Sequence, residues 1–246
     1  MPHIKFVVLT SARTGSSWLI DLLNRQPSVE AHGELFLDRG RMTPAIAGRD
    51  DYRRFIEVHG TPRLTRIPRV FAYLNALYRT KEAVGFKLMY SQLRKFPELL
   101  AYLAIRRVSI VHLTRLNLVD IVVSEELARV TGVSHVRSGV TSTVPTVHLN
   151  PTILRERLHQ LSERPGQVRR LIRCTACPCI EVTYEALLNG EEEFLRTLEF
   201  LGVSDPTVHV VSSLAKRGLR SHRDAITNYD EVKQILESTP FAGMLR

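Results

Sequence analysis

The chain has 246 residues, enough for one α/β domain with a real core and short for two. Apolar residues make up 44% and charged residues 24%, which excludes a disordered or fibrous chain. The formal net charge is +9, and 28 of the 34 basic residues are Arg; such a chain either attracts polyanions and multiply phosphorylated small molecules or simply carries a solvated basic surface.

In chain order, "MPHIKFVVLT" has neither the basic start nor the cleavage site of a signal peptide, so a cytoplasmic protein is expected. No apolar run is long enough to span a membrane. Four apolar runs read as buried parallel strands: 4–9, 84–90, 108–113 and 179–184. Helical periodicity falls between and after them, over 16–25, 117–130, 152–163, 191–201 and 229–237. The alternation predicts an α/β fold in which helices flank a mainly parallel central sheet, over a single domain spanning 1–246. Residues 37–80, Arg-rich with Pro44, Pro62 and Pro68, read as a helical insertion, and the stretch around 138–150 as a mobile loop.

Ligands of such sheets sit beyond the carboxyl ends of the strands. The first strand runs into Ala12-Arg13-Thr14-Gly15-Ser16-Ser17-Trp18 and then a helix. Gly15 lets backbone N–H groups approach an anion, and the helix adds its positive end. Ser16 and Ser17 offer hydroxyl donors, and Arg13 a fixed cation. The nucleoside-triphosphate loop GxxxxGK[ST] needs a Lys after its last Gly, and here Ser16 stands there. No apolar strand ends in a metal-holding Asp. A nucleotide with fewer terminal charges than ATP·Mg²⁺ fits better.

"ARTGSSWL" resembles the 5′-phosphosulfate loop of sulfotransferases that use 3′-phosphoadenosine 5′-phosphosulfate (PAPS). Arg13, Gly15, Ser16, Ser17 and Trp18 match that pattern, and Thr14 lies within it. "VHLTRLNLVDIVVSEELAR" is similar to the second signature of that family, which implies that Arg115 and Ser124 grip the 3′-phosphate. "EVTYEALL" resembles a segment whose Tyr lies near the adenine, here Tyr184, and "AITNYDEV" looks like bacterial trehalose-type and nodulation-type members. The resemblance runs from residue 6 to about residue 236 and implies a P-loop-like three-layer fold. It also implies PAPS as donor, no required metal, and transfer to a hydroxyl of a carbohydrate, a glycolipid or another small molecule. The C-terminal "LAKRGLRSHRDA" would place Lys216 and Arg217 over the 3′-phosphate. Trehalose-type relatives suggest a homodimer.

The residue types suit this chemistry on their own terms. Sulfuryl transfer depends on positioning and on stabilising charge at the bridging oxygen of the leaving nucleotide. Arg13 and Ser17 are placed for that, and Lys87, which interrupts an apolar strand, is a second cation. The phenol-type members use a His on this strand, where this chain has Met89. "AHGELF" offers Glu34, matched by the base of trehalose-type members, with His32 as its rival. His59, His135 and His148 could line the acceptor side. Cys174, Cys177 and Cys179 read as packed thiols at a strand start, since a closed zinc site needs a fourth ligand. A P-loop-type kinase and a basic nucleic-acid-binding protein are the competing readings. The missing Lys counts against the first, and only 7% aromatic residues against the second.

Overall fold

The computed structural model describes residues 4–37, 53–60, 65–79, 81–131, 145–203 and 221–245. Five strands form one sheet: β1 (Ile4–Thr10), β2 (Val29–Glu34), β3 (Ala83–Met89), β4 (Ser109–Thr114) and β5 (Cys179–Thr183). Their order is β2-β3-β1-β4-β5 and every pairing is parallel. The three central strands are mostly apolar because both of their faces are covered. Four strands coincide with the apolar runs. The fifth, β2, reads VEAHGE and shows no apolar run.

The helices are α1 (Ser16–Leu23), α2 (Phe55–His59), α3 (Arg66–Leu77), α4 (Tyr90–Lys95), α5 (Glu98–Arg106), α6 (Leu118–Thr131), α7 (Pro151–Arg173), α8 (Tyr184–Asn189), α9 (Glu192–Phe200), α10 (His222–Ala225) and α11 (Tyr229–Glu237). A 3-10 turn, Ala242–Met244, follows. α2 and α3 fall within the expected insertion, whereas α4 and α5 fall where no element was expected. α7 runs well past residue 163, straight through Pro165.

The chain divides into two compact units, residues 1–114 with 170–212, and residues 115–169 with 213–246. The sheet belongs to the first. Phe6, Val8, Ala31, Val111, Leu113, Ile180 and Val182 share one face and pack with Leu19, Leu22 and Leu23 of α1, Leu187 of α8, and Phe194 and Leu198 of α9. Gly85 pairs with Phe6 across β3 and β1, and a Cβ there would strike the Phe6 ring. The register turns Val7, Leu9, Phe86, Leu88 and Ile110 to the opposite face. There Phe86 meets Phe36 and Tyr78, part of an aromatic cluster with Phe55, Tyr73, Phe96 and Tyr102. Each such side chain contributes about 1.5–3 kcal/mol on burial.

The second unit has its own core: Val119, Val123 and Leu127 of α6, Leu154, Leu158 and Leu161 of α7, and Ile226, Val232, Leu236 and Phe241. Asn228 fixes its C-terminal half by using its side chain as a strand would. Its Oδ1 accepts from Leu149 N–H (3.0 Å) while its Nδ2 donates to Leu149 C=O (2.8 Å). The adjacent Val147 pairs with Ile226. The Asn of "AITNYDEV" is therefore a structural fastener.

Candidate functional site

The turn after β1 is built from its own hydroxyls. Thr10 Oγ1 donates to the Leu113 carbonyl (2.9 Å) and accepts from the Thr14 hydroxyl, so the strand end is pinned to β4. Arg13 and Gly15 both take left-handed backbone conformations, with φ of 64° and 82°. Gly15 caps α1, and the first intrahelical bond is Leu19 N–H to Gly15 C=O at 3.1 Å. The N–H groups of Ser16, Ser17 and Trp18 precede that bond, no side chain caps them, and the first turn holds no acid. Such an end is a seat for an anion.

Gly15 is required twice over. Its φ lies where a side chain is strained, and a Cβ would run into the Tyr184 ring. Tyr184 opens α8 directly after β5, with Thr183 Oγ1 accepting from Ala186 N–H (3.1 Å) as its cap. Trp18 meets the same ring edge-on, with centroids 5.9 Å apart. The first and third sequence motifs thus touch.

Beside the turn lies a charged cluster. Lys87 is only 9% exposed. Its Nζ sits 2.9 Å from Glu34 Oε1 and donates to Ser17 Oγ at 3.4 Å. The second Glu34 oxygen, Oε2, accepts from Gln92 Nε2 at 3.1 Å. Gln92 is itself held, because its Oε1 accepts from Met89 N–H at 3.0 Å, which also settles the orientation of the amide.

A β-bulge makes this cluster possible. His32 pairs with Phe86 and Glu34 with Lys87, leaving Gly33 as the extra residue. Strict alternation would have paired Gly33 with Lys87 and turned Glu34 to the other face. The bulge instead puts Glu34 beside Lys87 and leaves His32 on the Phe86 face, buried, with Nε2 3.2 Å from Glu30. Glu34 is thus a strand-end carboxylate.

In the second unit, Arg115 Nη2 donates to Asp120 Oδ2 at 2.6 Å. His222 Nε2 donates to Asp120 Oδ1 at 2.8 Å. Burial pushes the Asp120 carboxyl up, but the His222 hydrogen bond and then the Arg115 charge outweigh it, and the group stays below its ordinary value. Asn117 caps α6, accepting from Asp120 N–H at 3.0 Å. Ser124 stands one turn after Asp120 on α6 and is half-buried.

Lys216, Arg217 and His135 lie outside the described residues, as does most of the stretch around 138–150. His59 ends α2, half-buried, and His148 is exposed. Cys174 and Cys179 are exposed and Cys177 half-buried. Partial burial, Glu181 and Cys177 push the Cys179 thiol up to about 11, so it is poorly suited to act as a thiolate. Among the described residues no group of three His, Cys, Asp or Glu side chains is placed to hold a metal. No helix among them is long and apolar enough to cross a membrane. Sequence reasoning missed Gln92, Asp120 and His222. Only Asp120 carried a signal, an acid at the third position of a helix whose Asn cap follows Arg115.

No family model matches the chain, and a search of curated proteins finds no match. Among solved structures, the chain is similar to a crystal structure of a sulfotransferase from Alicyclobacillus acidocaldarius, with 15% identity and a TM-score of 0.50. The likeness covers 99% of this chain and 93% of that one. At that identity the likeness is one of fold alone.

Proposed function

We propose that the chain is a sulfotransferase that carries a sulfuryl group from PAPS to a hydroxyl of a carbohydrate, glycolipid or other small molecule. The observation that carries this reading is the cluster at the Gly15 turn. An anion seat, a hydroxyl, a buried Lys and a carboxylate lie side by side towards the carboxyl ends of β1, β3 and β2. The fold shared with a sulfotransferase supports it.

In this reading the N–H groups of Ser16, Ser17 and Trp18 and the hydroxyls of Ser16 and Ser17 hold the 5′ end of the donor, and Thr14 shapes the turn that carries them. Tyr184 supports the turn and lies near the adenine. Arg115 and Ser124 take the 3′-phosphate. Glu34 accepts the proton of the acceptor hydroxyl while that oxygen forms its bond to sulfur. The sulfur–oxygen bond to the nucleotide breaks, and adenosine 3′,5′-bisphosphate leaves with the electron pair. Arg13, Ser17 and Lys87 stabilise the charge on that departing oxygen. An ammonium has three donors, so Lys87 can hold Glu34 and Ser17 and still reach a third oxygen.

Calorimetry tests the reading. Adenosine 3′,5′-bisphosphate should bind without magnesium, about tenfold or more tighter than ATP·Mg²⁺, a difference of about 1.4 kcal/mol. Preferential, magnesium-dependent ATP binding would turn the assignment toward a kinase.

A further inference from the structure

The carboxylate of Asp120 is committed at both oxygens, and both partners are charged or chargeable groups that lie deep in the second unit. Asp120 is 5% exposed, His222 1%, and the Arg115 side chain 10%. Asp120 N–H is held by the side chain of Asn117, which in turn donates to the Met244 carbonyl at 2.8 Å. Three separate segments, the start of α6, α10 and the terminal 3-10 turn, therefore converge on one carboxylate and the residue that caps its helix.

This arrangement is puzzling if Arg115 is an anion ligand. An ionised Asp in contact with it repels any phosphate brought there, at a cost in affinity. Neutralising a buried Arg would need only one carboxylate oxygen, and it would need no His. What the second contact adds is direction. With Oδ1 held by His222, Oδ2 has one position, and the guanidinium nitrogen bonded to it at 2.6 Å is fixed in place. The pair uses Nη2, one of the three nitrogens that carry the five donors of the fork.

We infer that Asp120 and His222 are positioning residues that hold the Arg115 guanidinium in the orientation that recognises the 3′-phosphate, so that discrimination for a 3′-phosphorylated nucleotide rests on all three side chains. The inference rests on the assignment of Arg115 under the proposed function. It predicts a selective loss. Removing Asp120 or His222 weakens binding of adenosine 3′,5′-bisphosphate far more than binding of adenosine 5′-monophosphate, which lacks the group that Arg115 reads.

The experiment is a pair of titrations, adenosine 3′,5′-bisphosphate and adenosine 5′-monophosphate, on the full chain and its variants. Wild type should prefer the bisphosphate. Asp120→Ala should cut that preference by about tenfold or more. His222→Phe should cut it by about threefold, and His222→Gln, whose amide can still donate to Oδ1, should restore most of it. Equal weakening of both nucleotides in Asp120→Ala, or an unchanged preference in His222→Phe, would overturn the positioning role. Where Asp120→Ala fails to fold, the two His222 variants decide the matter, since they leave the Arg115–Asp120 pair in place. A wild type that binds both nucleotides alike would show that Arg115 is not a 3′-phosphate ligand, and the inference would fall with that assignment.

Discussion

Two charged clusters of the molecule solve the same problem in opposite ways. At the Gly15 turn, Lys87 and Glu34 lie at strand ends and stay partly open, with side-chain exposures of 11% and 23%. Their neighbours are a hydroxyl and an amide, which can exchange partners. At the start of α6, Arg115 and Asp120 are more closed and joined by a shorter contact, and the carboxylate is pinned from behind by a buried His. Under the proposed function, the open cluster is where a proton and a sulfuryl group would move. The closed one suits a place where a fixed charge is recognised and nothing reacts.

Changes at each cluster should separate these roles. The largest effect is expected from Gly15→Ala. The left-handed backbone alone costs about 1–3 kcal/mol, and the new Cβ meets Tyr184. Bisphosphate binding should vanish by calorimetry and the melting temperature should fall; a variant that binds normally would mean that the turn is not the seat. Next comes Glu34→Gln. Release of adenosine 3′,5′-bisphosphate from PAPS, with water as the only acceptor, should slow by about 10²-fold or more, while affinity for the bisphosphate stays within about twofold. Normal turnover would remove Glu34 from the role of base.

Arg115→Ala should weaken the bisphosphate by about 2 kcal/mol, the loss of a charge-assisted contact. Calorimetry that finds it unchanged would leave the closed cluster with a purely structural role. The smallest effect concerns acid. Asp120 is held below its usual 3.8 when folded, so its contribution to stability is complete above the unfolded value and is lost as pH falls through the lower native one. Melting temperatures of wild type and Asp120→Asn should therefore converge as the pH drops below the ordinary carboxylate range. A gap that stays constant there would mean that the carboxylate's ionisation contributes nothing.

Much of the frame was legible because buried parallel strands advertise themselves. IKFVVL and VSIVHL are mostly apolar and rich in Ile and Val, since both faces of these strands are covered. β2 was not, because an edge strand carrying Glu30, His32, Gly33 and Glu34 has no periodicity that distinguishes it from a loop. The apolar periodicity over 152–163 covers only part of α7, which runs on to Arg173 through Pro165, a residue that ordinarily disfavours a helix interior. The Gly15 turn is contiguous in the chain and so could be read as a unit. The placement of Glu34 could not, because it depends on one extra residue in β2 and on a partner in β3. The bond between Asp120 and His222 joins residues 102 positions apart, and no local spacing encodes it.

The ring of Tyr184 fills the volume that a side chain at position 15 would need. The shape of the first turn is thus moulded partly by a residue from the far end of the sheet. Anyone transplanting "ARTGSSWL" into another scaffold would have to bring the start of α8 with it. The eight letters alone would carry the hydroxyls and the cation but not the surface against which they take their form.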